Sequence, residues 1–403
     1  VRALRTDKQF GWGKTLVYSF IPLLVLVVLA EGGARLWEIS HPPLPVDIGL
    51  SFDADSRLFV ASETRPGWLV TDPNKAAPVG KEPGMPDFVQ VLLPTQPFPR
   101  QWIEKEKPDD VFRVFFLGGS SINIAKPQLE EMANDLTDRF EGQPRIDLIN
   151  CGGSSYGSHR LVNIAMEVLE FDPDAILVYT GHNEFGEREQ LKVANLGTLQ
   201  LQRIMWHSAA LRLVRDTLAR DRIQREIEAH EERLKQGGVN HWHLEDENIA
   251  LVDVDEEMSR FRENLSTIAA ACRKRGVPMI IGTVPSNLMM PQLYSPYFEE
   301  FKESIEPLYR DGHFEEASAW VKDTLSRLPR GQSSPVENQI IREVAQQEGV
   351  FLADVYKTIV EAEPHGVPGE TLFVDHCHLS PEGNEMLAED FAEQLAPIIS
   401  TGR

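Results

Sequence analysis

Four short stretches, far apart in the chain, carry side chains that together could activate a hydroxyl and stabilise the charge its attack creates. They are Gly118-Gly119-Ser120-Ser121, Asn150-Cys151-Gly152-Gly153-Ser154-Ser155, Gly181-His182-Asn183-Glu184 and Asp375-His376-Cys377-His378. A serine hydroxyl is a poor nucleophile until a neighbouring base takes its proton, and an imidazole does this best when a carboxylate orients its ring. Asp375 and His378 are three residues apart, so one short loop can deliver both groups side by side. His376 is the rival imidazole, but adjacent residues point apart. Ser120 follows two glycines, which permit a tight turn toward a helix and leave the serine projecting, its amide near a helix N-terminus that favours negative charge. Acyl transfer also requires donors for the oxyanion of the tetrahedral intermediate. The side-chain amide of Asn183 and a backbone N–H of the turn from Gly152 to Ser155 can supply them.

Plainer readings of the same residues exist. A Gly-Gly-Ser-Ser loop taken alone could cradle a phosphate or simply turn the chain, and Asn183 could cap a turn. A metal reading would use His376, Cys377 and His378, with His182 added. No spacing here matches a closed zinc site, so neither metal nor cofactor is expected. The three cysteines, Cys151, Cys272 and Cys377, are too few and too odd in number for a disulfide framework and read as free thiols.

The elements that must position these groups are legible in the apolar pattern. The first three stretches directly follow runs that read as buried strands, at Val111 to Leu117, Ile146 to Ile149 and Ala175 to Tyr179. Two further strands are expected at Pro278 to Val284 and Val350 to Val355. Between them, apolar residues recur at helical spacing, as at Leu129, Met132, Leu136 and Phe140, and at Leu161, Ile164, Ala165, Val168 and Leu169. Helices are also expected over about 255–275, 335–347 and 381–398. Strands alternating with amphipathic helices argue for βαβ units and a parallel sheet covered on both faces. In such a sheet, loops at the carboxyl ends of the strands converge on one crevice. The four stretches would then meet in space.

Two insertions interrupt the alternation. Residues 203–238 are a highly charged helical stretch in which Leu211, Leu213, Leu218 and Ile223 offer a narrow apolar stripe, ending at Gly237-Gly238. Residues 301–330, with Leu308, Tyr309, Gly312, Phe314, Ala317, Trp320, Leu325 and Pro329, resemble one tetratricopeptide helix pair. A lone pair cannot bury its own face and must lean on the catalytic body or on another protein. Residues 37–110, rich in Pro and Asp with brief apolar runs such as Val89 to Leu93, read as an extended arm packed on the main domain.

The net charge is −22, yet residues 1–40 hold five basic and three acidic side chains. The remainder is therefore strongly acidic, which repels nucleic acid and anionic surfaces and excludes a nucleic-acid role. After a basic leader (1–14), Leu16 to Ala30 is almost wholly apolar, broken only by Ser19 and Pro22. Thr15 to Ala34 would extend about 30 Å as a helix, one hydrocarbon thickness. The expectation is a transmembrane anchor over 15–36, an N-terminus in the cytoplasm and an exported body over 111–403, single-pass in an inner membrane with the C-terminal domain periplasmic. The competitor is a cleaved signal peptide, for which Val28-Leu29-Ala30 offers cleavage positions.

The ordered set of four stretches resembles the SGNH or GDSL hydrolases, whose blocks are a Gly-Asp-Ser turn, a glycine-bearing second turn, Gly-x-Asn-Asp and Asp-x-x-His. The resemblance covers about residues 111–398. It implies a flavodoxin-like three-layer α/β sandwich with five parallel strands in the order 2-1-3-4-5. It further implies Ser120 as nucleophile, His378 as base, Asp375 as orienting acid, and Ser120, Ser155 and Asn183 as oxyanion donors. Three positions depart from the pattern: Gly119 stands for Asp, Ser155 for the oxyanion glycine, and Glu184 for the last Asp of the third block. Gly-His-Asn-Glu-Phe together with the helix-pair insert looks like a bacterial membrane-anchored subgroup. The expected function is a serine esterase or deacylase acting through an acyl-serine, on an ester-bearing small molecule, envelope glycan or lipid. The alternatives are an O-acyltransferase on the same fold, or a non-catalytic scaffold that holds protein partners through its helical insertions.

Overall fold

The computed structural model describes residues 12–41, 57–72, 98–140, 144–187, 208–218, 253–293 and 296–401. Residues 1–11 of the basic leader, the apolar run 89–93, and most of the 203–238 insertion, including Ile223 and the two glycines, lie outside them. The described residues fall into two compact units, one made of 12–41 and 208–218, the other of the remaining residues.

The larger unit is built on a five-stranded parallel sheet. A small antiparallel sheet precedes it, with strands β1 (Phe59–Ala61), β2 (Trp68–Thr71) and β3 (Trp102–Glu104) in that order. The main strands are β4 (Val111–Gly118), β5 (Arg145–Gly152), β6 (Ala175–Tyr179), β7 (Met279–Gly282) and β8 (Phe351–Ala353). They pair in the order β5-β4-β6-β7-β8, all parallel. In terms of the five strands this is 2-1-3-4-5, the expected topology. Every residue of β4 is buried, because it is flanked by strands on both sides and by helices on both faces. On one face Val254–Arg275 packs between Ser158–Val168 and Pro335–Glu348, and Lys126–Arg139, Val355–Ala362 and Pro381–Ser400 form the other layer.

Local chemistry sets the ends of these helices. Asp253 caps Val254–Arg275 by accepting from Glu256 N at 3.1 Å, and Gly276 closes it with φ 69°, a left-handed turn that glycine adopts without strain. Ser334 and Glu337 form a reciprocal capping box ahead of Pro335–Glu348. The brief apolar runs of the arm do more than lie on the surface: β1 to β3 hydrogen-bond to each other, and Phe59, Leu69, Phe98 and Ile103 enter the main core. Phe59 packs edge-on against Phe115 and Phe171.

On the opposite face, Phe391 of the last helix is fully buried against Phe116, with ring centroids 4.5 Å apart. Strand β7 makes room for it at Gly282, where an added Cβ would stand 2.6 Å from the Phe391 ring. Phe391→Ala should cost ~3–5 kcal/mol, since truncating a buried aromatic loses its transfer energy and leaves a cavity. Urea unfolding would show this as a lower midpoint at unchanged slope.

The 301–330 insertion forms a helical run over Tyr297–Arg310 that includes a π-helical segment, Phe301–Ile305, followed by helix Phe314–Arg327. Gly312 turns between them at φ 84°. Phe301, Tyr309, Ala317, Val321 and Leu325 make a satellite core that leans on Leu288 and Val367 of the same unit. Tyr309 fixes the contact by donating its hydroxyl to Leu288 O at 3.0 Å.

The smaller unit contains helix Trp12–Glu38 and a second helix over 209–218. Residues Phe20–Glu38 are long and apolar enough to cross a membrane, and their large side chains from Phe20 to Leu29 are exposed.

Candidate active site

Three of the four stretches sit at the carboxyl ends of neighbouring strands because β5, β4 and β6 are adjacent in the sheet. Ser120 opens helix Ser120–Ile124 immediately beyond β4, with Gly119 at the N-cap in extended conformation. The Asp375–His378 loop lies between helices Val355–Ala362 and Pro381–Ser400 and reaches back over the same edge. His378 Nε2 is 2.7 Å from Ser120 Oγ, and His378 Nδ1 is 2.6 Å from Asp375 Oδ2. Residues 258 apart in sequence thus form one continuous hydrogen-bonded chain. Ser120, Asp375 and His378 are all partly exposed, so the chain is reachable from solvent.

The loop is held by its own acid. Asp375 Oδ1 accepts from the backbone N–H groups of Cys377 at 2.8 Å and His378 at 2.7 Å. Burial opposes the charge on Asp375, but the bond from His378 and these two N–H groups outweigh it and hold the carboxyl far below the usual range. Asp375 is therefore ionised at any working pH, as an orienting carboxylate must be. Asn287, buried beyond β7, fixes the loop twice: its side-chain amide donates to Asp375 O at 2.9 Å, and its backbone N–H donates to His376 O at 3.0 Å. Nothing near Asn287 in sequence signals this role, because its partners lie almost ninety residues away.

Two stitches tie the second stretch to the first. Asn150, also buried, donates to Ile122 O at 2.7 Å and accepts from Gly152 N at 2.8 Å. Gly153 N donates to Gly118 O at 2.9 Å. Gly152 is needed for close approach: a Cβ there would stand 2.4 Å from Asn123 N. Ser155, at the expected oxyanion position, is exposed and adopts φ 61°. It takes the left-handed conformation that glycine reaches freely and a serine only at a cost of ~1–2 kcal/mol. The turn therefore keeps the backbone course of a glycine despite the substitution.

Asn183 joins the second and third stretches. Its Nδ2 donates to Tyr156 O at 3.1 Å, which takes one of the two amide hydrogens. The same nitrogen lies over Gly119, where an added Cβ would come within 2.7 Å of it and within 3.0 Å of Tyr156 O. With Asn183 and Tyr156 O so placed, this structure leaves no room for a side chain at position 119.

His182 and His376 have other employment. His182 is buried, accepts from Ser333 N at 3.1 Å through Nδ1, and is pushed down to about 3 by burial, so it stays neutral. His376 Nδ1 lies 3.9 Å from Asp375, and burial lowers its pKa. Asp375, His376 and Cys377 bring one ligand atom each within 4.8 Å of one another. Their donors fit a metal poorly, because both Asp375 oxygens already accept hydrogen bonds and burial raises the Cys377 thiol well above its usual value. All three cysteines are free and buried.

Glu184 locks two of the loops together. Its carboxyl accepts from Ser158 N at 3.1 Å, from Ser158 Oγ at 2.6 Å and from Thr180 Oγ1 at 3.1 Å. Glu187, one helical turn on, accepts from His159 N and Arg160 N. The two carboxyls thus satisfy the first three N–H groups of helix Ser158–Val168, which follows the turn from Gly152 to Ser155. Burial first, and then the neighbouring Glu187, push Glu184 well above the usual carboxyl range against the pull of Ser158, and burial raises Glu187 with it. In the unfolded chain the proton leaves near 4.5, so over a window that opens there and extends up to the raised value the folded pair holds a proton the unfolded state has lost. The contribution is complete below that window and is lost as pH rises through it. The urea midpoint should fall as pH rises above about 5, and the fall should be shallower in Glu184→Gln. Equal falls in the two proteins would remove Glu184 as the cause. Asp375 acts in the opposite sense, and its contribution is lost only in strong acid.

No family model matches the sequence, and no curated protein does. Among solved structures, the chain is similar to a GDSL-like lipase from Bacteroides thetaiotaomicron VPI-5482, at 10% identity and TM-score 0.38, covering 75% of this chain and 93% of that one. It is similar to the acetyl xylan esterase AlAXEase at 14% identity and TM-score 0.38, covering 70% and 98%. A putative acylhydrolase from Bacteroides fragilis NCTC 9343 gives 11% identity and TM-score 0.37, covering 75% and 92%. At these values the likeness carries no argument about individual residues.

Proposed function

We propose that the protein is a serine esterase of the SGNH type, anchored by helix Trp12–Glu38 and acting through an acyl-serine intermediate. The observation that carries this reading is the continuous hydrogen-bonded chain Ser120 Oγ, His378, Asp375, at 2.7 and 2.6 Å. In the forward step His378 Nε2 takes the proton of Ser120 as its Oγ attacks the ester carbonyl carbon. Asp375 fixes the tautomer, with the ring proton on Nδ1, and stabilises the imidazolium that forms. The carbonyl oxygen, now negative, is met by the N–H of Ser120, the N–H of Ser155 and the second amide hydrogen of Asn183. His378 returns its proton to the leaving alkoxide, which departs as an alcohol. Water, deprotonated by His378 in turn, then attacks the acyl carbon, and the acid is released with Ser120 restored. A sugar hydroxyl in place of water would make the same site an O-acyltransferase.

Hydrolysis of a short-chain aryl ester by the full chain tests the reading. Wild type should turn the ester over and Ser120→Ala should not. Equal rates in the two would place the chemistry elsewhere, and a folded wild type with no activity toward esters or fluorophosphonates would favour the scaffold.

A further inference from the structure

The short helix at 209–218 is built inside out. Arg212, Arg215 and Asp216 are buried, whereas Leu211, Val214 and Leu218 are 39%, 52% and 73% exposed. Those three recur at the spacing of one helix face. The apolar stripe expected in this insertion therefore runs through Val214 in place of Leu213, and it points outward.

The inward face is complementary to the apolar helix Trp12–Glu38. Glu31 accepts from Ser208 Oγ at 2.7 Å, and from the N–H groups of Ala209 and Ala210 at 3.1 Å each. Glu38 takes a bidentate pair of bonds from Arg212, at 2.8 and 2.7 Å. Both carboxylates belong to the 19-residue stretch Phe20–Glu38 that is apolar enough to span a bilayer. A carboxylate at membrane level is tolerated when protein groups satisfy it, and here the short helix supplies those groups. Its first-turn N–H groups, which need acceptors, find them in the same contact. Exposed apolar residues also continue to the end of the longer helix at Leu36 and Trp37, and just beyond it at Ile39.

We propose that the 209–218 helix is a second membrane element, lying against the acyl chains of the outer leaflet through Leu211, Val214 and Leu218 while its first turn hydrogen-bonds Glu31 and its Arg212 neutralises Glu38. The partner is the lipid bilayer itself. Charged side chains inward and apolar ones outward are the reverse of a helix in water, and they match a helix whose solvent is hydrocarbon. This rests on the reading that helix Trp12–Glu38 is retained as an anchor.

The test uses the full chain in phosphatidylcholine and phosphatidylglycerol vesicles, with an environment-sensitive nitrobenzoxadiazole probe on Val214→Cys or on Leu29→Cys. The native thiols are buried, which favours labelling at the new site. Nitroxide-bearing lipid should quench both probes, and aqueous iodide should leave the Val214 probe largely unquenched. If Leu29 is quenched by nitroxide but Val214 only by iodide, the short helix lies in water and the inference fails while the anchor stands. A Val214 probe shielded from both quenchers would mean protein covers the face, which also overturns the assignment to lipid. Loss of nitroxide quenching at Leu29 would remove the anchor and the inference together.

Discussion

Replacing His378 with alanine is expected to lower aryl-ester turnover by roughly 10⁴- to 10⁶-fold, and Asp375→Asn by about 10⁴-fold. The magnitudes follow from what each group does. Without the imidazole base at 2.7 Å, Ser120 keeps its proton and the attack loses its driving force. Asn at 375 can still sit beside His378, but its amide can present N–H where Oδ2 now accepts, which favours the wrong tautomer. KM should change far less than kcat, because neither group is needed to bind the ester. Combining His378→Ala with Ser120→Ala should cost little more than either alone, since the two act as one unit. Additive losses would mean they work independently. Circular dichroism checks that each variant is folded.

Asn183→Ala should lower kcat by about 10²- to 10³-fold, the cost of losing one oxyanion donor. Gly119→Ala should produce a comparable loss although Asn183 is intact. The new methyl would come within 2.7 Å of Asn183 Nδ2 and 3.0 Å of Tyr156 O, so the amide must move from the place where it meets the developing charge. Gly119 has φ −86°, so the effect is one of space and not of backbone conformation. Steady-state kinetics on both variants check the pair. A Gly119→Ala enzyme at full rate would show that the amide of Asn183 does no catalytic work from this position.

The sheet and the placement of the first three stretches were legible because buried parallel strands are near-continuous apolar runs, and Val111–Gly118, broken only by Arg113, and Ala175–Tyr179 are such runs. The pairing of Asp375 with His378 was legible because both sit in one short loop. What the sequence hid was everything that depends on a partner from a distant segment. Asn287 under the Asp375 loop, Asn150 between two turns, and Glu184 bridging Thr180 to Ser158 are ordinary polar residues until the fold brings their acceptors and donors to them. Gly119 and Ser155 show the same limit. By its letter Gly119 departs from the pattern, yet in space it stands where an added Cβ would crowd Asn183 and Tyr156 O. By its letter Ser155 is a lost glycine, yet it keeps a glycine's backbone course. In the 209–218 helix the periodicity was readable, but not which way the stripe faced, because an apolar face turns inward in water and outward in lipid.

The most direct measurement is the site of covalent capture. A fluorophosphonate reacts with a serine only when a base has activated it and an oxyanion site accepts the phosphoryl oxygen, so it reports the whole arrangement at once. Peptide mass spectrometry of the labelled full chain should place a single adduct on Ser120, and the adduct should vanish in His378→Ala. An adduct on another serine, or labelling of Ser120 that persists without His378, would contradict the account.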